Sequence, residues 1–213
     1  MVAKMKAILT ALLLFPLGAS LVAAPKKRTP KTDPTCEVGL TPGKYSDKSI
    51  FRANSTWTTD DGKDIKLDSF RGKPVVIALF FSSCQHSCPF IARDMKAMQS
   101  ALSKEAKTKV EFVLASIDPE RDSPEAMKAF RTKYNLTGKN WTLMRSEPKS
   151  VSKLAETLGF SYSPGSKIQF AHSIMITVLN GAGEVAHQQV GLGVDRQGAI
   201  AVLEKLAAAK PKS

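Results

Sequence analysis

Lys73-Pro74-Val75-Val76-Ile77-Ala78-Leu79-Phe80-Phe81-Ser82-Ser83-Cys84-Gln85-His86-Ser87-Cys88-Pro89-Phe90-Ile91 is the stretch on which the fold turns. Residues 74–81 form an uninterrupted apolar run of strand length, rich in β-branched and aromatic side chains. Such a run reads as a strand buried on both faces. Beyond it, Phe90, Ile91, Met95, Met98 and Leu102 recur at helical spacing, so an amphipathic helix follows. Pro89 suits the first helical turn, where its missing N–H removes a donor that has no intrahelical partner anyway. Two thiols therefore sit on a strand-to-helix turn, at the positive end of a helix. That placement lowers thiol pKa and frees the thiolate as a nucleophile or metal ligand.

Working outward, residues 54–58 and 64–67 read as two short strands around Asp60-Asp61-Gly62-Lys63, which has hairpin-turn chemistry. After the thiol helix, residues 110–116 form a second buried strand. Ser123 as N-cap and Pro124 at the first helical position then open a helix to about Tyr134. Residues 141–144 suit a short strand, and residues 149–158 a helix stopped at Gly159. Residues 174–179 and 184–189 are strands joined by Asn180-Gly181-Ala182-Gly183, and residues 196–208 form a closing amphipathic helix. Strand, thiol turn, helix, strand, helix, hairpin and last helix is the thioredoxin order. The fold class is therefore α/β, a thioredoxin-like fold whose central mixed sheet is flanked by helices, with an extra N-terminal β-hairpin.

The totals bound the function. The 213 residues carry a formal charge of +12 and 43% hydrophobic residues, enough for one sizeable core. The positive surplus is spread along the chain without aromatic interleaving, which argues against nucleic acid as a partner. Residues 1–24 read as a secretory signal: Lys4 and Lys6, an apolar run through Phe15, then Pro16, Gly18, Ala19 and Ser20. Cleavage after Ala24 and cleavage after Ser20 both fit. An uncleaved anchor, giving membrane association through this segment, is the alternative. Residues 25–49 read as a flexible linker and residues 50–213 as the folded domain. The compartment is then exported and oxidising, periplasmic or at the outer face of the cytoplasmic membrane. Of the three cysteines, Cys84 and Cys88 pair off and leave Cys36 over, which reads as an incidental loop residue.

Thiolates at i and i+4 across a helix start approach one point and suit one soft ion. Cu(I) is favoured, with zinc or an iron–sulfur cluster as competitors. Cys-x-x-x-Cys is wider than the usual redox spacing, which weakens disulfide exchange as the first reading without removing it. A metal pair needs a third ligand. His86 lies between the thiols with its ring directed away, and His187 belongs to a strand surface. His172 precedes the strand that faces the thiol turn in a thioredoxin sheet, where an ordinary thioredoxin carries a cis-proline. Taken alone, a histidine there is most simply a hydrogen-bonded structural residue. Beside two thiolates it completes a trigonal set for Cu(I).

These residues resemble the Sco/SenC family of thioredoxin-fold copper proteins. The matching elements are Gly72-Lys73-Pro74-Val75-Val76, the turn from Phe80 to Pro89, Ser116-Ile117-Asp118-Pro119-Glu120-Arg121-Asp122-Ser123-Pro124-Glu125, and His172-Ser173. The resemblance implies a copper metallochaperone holding a copper ion, Cu(I) or Cu(II), through Cys84, Cys88 and His172. It implies delivery to the dinuclear copper site of cytochrome c oxidase subunit II, or reduction of that acceptor's cysteines. Asp118 resembles a family aspartate close to the metal turn. Gln85 stands where the family usually has proline, and Ala171 where it often has an acidic residue.

The enzyme-class alternative is an extracytoplasmic thiol–disulfide oxidoreductase in which Cys84 attacks and Cys88 resolves. Either reading needs a thiol reductant as partner, because only the reduced pair binds copper. A peroxidase reading lacks the proline that such a cysteine loop carries before its nucleophile.

Overall fold

A computed structural model of the protein describes residues 45–160, 174–191 and 193–209. Their centre is β3 (Val75–Phe80), buried at every position. It pairs in parallel with β4 (Glu111–Ser116), which pairs in parallel with β5 (Trp141–Arg145). On its other side β3 meets β6 (Met175–Leu179) antiparallel, and β6 meets β7 (Val185–Val190) antiparallel. The N-terminal hairpin, β1 (Thr56–Thr59) and β2 (Asp64–Lys66), joins the far edge, where β1 lies antiparallel to β5. The result is a seven-stranded mixed sheet in the order β2-β1-β5-β4-β3-β6-β7. The expected fold class is the one observed, and the hairpin is an addition to the sheet itself.

The helices follow from the crossovers. α1 (Ser87–Ala101) links β3 to β4, and α3 (Pro124–Lys133) links β4 to β5. Both steps run the same way along the sheet, so right-handed connections place both helices on one face. Met95 and Met98 of α1, Met127 and Phe130 of α3, and Leu203 of α5 (Gln197–Ala208) fill that face with Val76, Ala78 and Phe80. The step from β5 to β6 reverses direction across β4 and β3, so α4 (Pro148–Thr157) covers the opposite face. There Val151 and Leu154 pack with Val75, Ile77 and Leu79. Strand alternation thus divides one β3 run between two cores.

Local chemistry fixes the boundaries. The Ser123 side chain caps α3 by accepting the Ala126 N–H, with Pro124 following at the first helical position. α4 ends before Gly159, whose φ of +68° needs glycine. A short helix not expected from the sequence, α2 (Lys104–Lys109), is capped by Ser103 and buries only Ala106. The described chain is already anchored before β1. Ser49 Oγ donates to the Ala182 carbonyl at 2.5 Å, and the Ile50 N–H donates to the Gly183 carbonyl at 3.0 Å. Trp57, fully buried, seats the added hairpin on the α4 face.

Candidate metal and thiol site

The site grows out of the C-terminal end of β3. After Phe80 the chain leaves the sheet, and the Cys84 N–H closes a turn on the Phe81 carbonyl at 3.2 Å. His86, with φ −110° and ψ −82°, is the last residue before α1 and offers no side-chain cap. The cap comes from sulfur instead. Cys84 Sγ accepts the Cys88 N–H at 3.4 Å and lies 3.6 Å from Ser87 Oγ. A thiolate there meets the unpaired N–H groups of the first helical turn, as a serine or aspartate cap does elsewhere.

Both sulfurs are free thiols, and both are buried, Cys84 at 8% exposure and Cys88 at 1%. Cys84 is the more accessible, as its position at the mouth of the turn predicts. The Cys88 thiol donates to it, and the backbone N–H groups of Cys88 and His86 and the Ser87 hydroxyl add to that. Together they outweigh the cost of burial and bring its pKa from 9.0 down to about 4. Cys88 moves the other way, because its proton is held by Cys84 and because the thiolate is desolvated. The pair thus shares one proton at neutral pH, with the charge on the outer sulfur.

The other candidates fall into place around this turn. Gln85 and His86 are exposed. His187 lies on β7 under α5, where a side chain at Gly198 would come within 3.2 Å of its Cε1. Asp118 is buried just beyond β4, its carboxylate paired with Arg121 at 2.6 Å and its N–H donated to Ser116 Oγ at 3.0 Å. His172 and Cys36 lie outside the described residues. Among the described residues no three histidine, cysteine or acidic side chains come together as a metal set. The antiparallel register, with Ala78 opposite Ile176, brings the start of β6 to the end of β3 that bears the thiols. Ile174, just before β6, packs against the cluster that contains Cys84 and Cys88.

One residue was not singled out by its sequence context. Asp122, with no exposed surface, accepts the backbone N–H of Ser82 at 3.0 Å and the Ser82 hydroxyl on one oxygen. Its other oxygen accepts the Ser116 hydroxyl. The available signal was a serine closing an otherwise apolar strand and another opening the thiol turn. Both are polar groups that burial obliges to find partners.

A family model described as SCO1/SenC matches residues 43–208. The chain belongs to that family. Its sequence is 30% identical over 95 residues to the SCO1 protein homolog of Bacillus subtilis (strain 168), covering 45% of this chain and 49% of that protein. The chain spans about half the length of the curated relatives it matches. Among solved structures, a SCO1/SenC family lipoprotein from Bacillus anthracis str. Ames superposes with a TM-score of 0.65 at 27% identity. That match covers 71% of this chain and 92% of the other. Yeast Sco1 with copper bound superposes with a TM-score of 0.60 at 18% identity, covering 74% and 88%. The added hairpin and thiol-bearing sheet thus sit within a Sco architecture.

Proposed function

We propose that this SCO1/SenC protein is a copper metallochaperone, with Cys84 and Cys88 as thiolate ligands and His172 as the third. The observation that carries the reading is the polarised thiol pair. Cys84 is held as an anion at the start of α1 with Cys88 one helical turn on, beside the strand that His172 precedes in sequence. A soft monovalent cation displaces the shared proton, so loading releases at least one proton and demands a reduced pair. The copper-bound structure of a family relative supports copper as the ion. The family resemblance supports the dinuclear site of cytochrome c oxidase subunit II as the acceptor, reached by delivery of copper or by reduction of its cysteines. Asp118, at the same end of the sheet, borders the proposed site. An exported location, with the N-terminal segment as signal or anchor, fits the lipoprotein relative and the oxidisable pair.

Titration of the reduced full chain with Cu(I) against a competing chelator tests this. Tight one-to-one binding that weakens at least about tenfold in each of Cys84→Ser, Cys88→Ser and His172→Ala is the expected result. Wild-type affinity in His172→Ala removes the three-ligand site.

The acidity of Cys84 also favours a second reading, thiol–disulfide exchange. In it the Cys84 thiolate attacks a substrate disulfide and expels one substrate thiolate. Cys88 then gives up its proton and attacks Cys84, releasing the second substrate thiol and leaving the Cys84–Cys88 disulfide. A Cys88→Ser chain that traps no mixed disulfide with a model substrate rules it out.

A further inference from the structure

Asp122 carries three hydrogen bonds that no helix cap or ion pair requires. Ser123 caps α3 with its own hydroxyl, so the helix does not need the Asp122 carboxylate. Arg121 is turned to Asp118. The Asp122 carboxylate instead collects the N–H and hydroxyl of Ser82 and the hydroxyl of Ser116, forty residues and six residues away. Ser116 is the buried last residue of β4. It stands opposite Phe80 in the parallel register, and the Ile117 N–H donates to the Phe80 carbonyl at 2.9 Å. Ser82 lies inside the turn that Cys84 closes on Phe81. One carboxylate therefore fastens the middle of the thiol turn to the end of the neighbouring strand.

We propose that Asp122 is a positioning residue for Cys84, holding Ser82 against Ser116 so that the Cys84 sulfur stays within reach of the Cys88 N–H. A side chain that keeps two donors of one residue in place fixes both the direction and the depth of the turn. Without it the Ser82 N–H has to find water, and the turn moves outward to reach it. The Cys84 sulfur then leaves the helix terminus that stabilises its charge. The clamp acts on the turn alone, whether the pair carries copper or exchanges disulfides. Its test needs no metal.

The measurement is the rate at which iodoacetamide alkylates Cys84 at pH 6 in the full reduced chain, read peptide by peptide by mass spectrometry so that Cys36 is counted separately. Asp122→Ala is expected to slow Cys84 at least about tenfold, because a sulfur no longer seated on the first-turn N–H of Cys88 loses both its fixed position and the donor that favours the thiolate. Asp122→Asn keeps an oxygen for Ser82 and presents an amide to Ser116, and is expected to recover most of the rate. Trp57→Ala destabilises the opposite face without touching the turn and is expected to leave the rate unchanged. A folded Asp122→Ala chain that reacts at the wild-type rate overturns the proposal, as does equal slowing in Trp57→Ala. If Asp122→Ala does not fold, Ser82→Ala, which removes one donor, decides the matter. Slowing supports the clamp, and an unchanged rate overturns it.

Discussion

Cys84 is a cysteine doing the work of a helix cap, and its chemistry follows from that. Its thiolate accepts from Cys88 and from the first-turn backbone, so its charge is stabilised where an isolated thiol's is not. Alkylation of Cys84 should therefore be nearly independent of pH between about 5.5 and 8. A cysteine with the ordinary pKa of 9.0 would instead speed up about tenfold per pH unit. A rate that climbs steadily through this range would contradict the assignment. Stability responds with a definite sign. A folded pKa below the unfolded one adds stability that is fully present above the unfolded value and is lost as pH falls through the folded one. For Cys84 that window runs from about 9 down to about 4. The advantage of wild type over Cys84→Ser in urea unfolding should accordingly shrink as the buffer is taken from pH 8 to pH 5. Cys88, shifted upward, has the opposite sign and acts only when the solution is alkaline enough to ionise an unfolded thiol.

Elements are held by devices of a different kind. α3 begins with Ser123 and Pro124, and replacing the capping serine by alanine should cost about 1 kcal/mol, measured by chemical denaturation. The β1–β2 hairpin is too short to stand alone, and it is kept by Trp57, which has no exposed surface. Trp57→Ala should cost about 3–5 kcal/mol while leaving the thiol turn intact, because it empties the face opposite the cysteines. The β6–β7 turn is tied down at Gly183. Its φ of +76° excludes side chains comfortably, and a Cβ there would come within 2.8 Å of the Phe51 ring. That contact fixes the N-terminal approach to the domain against the hairpin.

Across the whole molecule, long-range polar contacts lock the order of the strands. Asp60, in the turn of the added hairpin and 7% exposed, receives two guanidinium N–H groups of Arg131 from α3, and Arg131 also donates to the Trp141 carbonyl at 2.8 Å. Hairpin, helix and β5 meet at one ion pair. Arg131→Ala leaves a buried carboxylate unpaired and should cost about 3 kcal/mol, read as a lowered urea midpoint. Asp122 does the corresponding work at the thiol end, joining β3's turn to β4.

The amino-acid sequence determined by itself those features that rest on an apolar period or a cap a few residues apart. The apolar run from Val75 to Phe80, the helical spacing of Ile91, Met95 and Met98, the Ser123-Pro124 start and the Cys84–Cys88 pair are all written within one or two turns of chain. α2 escaped because its six residues bury a single alanine and so carry no apolar period. The tertiary structure alone decided which strands are neighbours, and hence which distant residues touch. Asp122 finds Ser82, and Asp60 finds Arg131, only once β3, β4 and β5 lie side by side. The thiols were visible as a pair from their spacing. That one of them is an anion and the other is not follows from burial and from the donors that close around Cys84, and those are properties of a packed turn rather than of a motif.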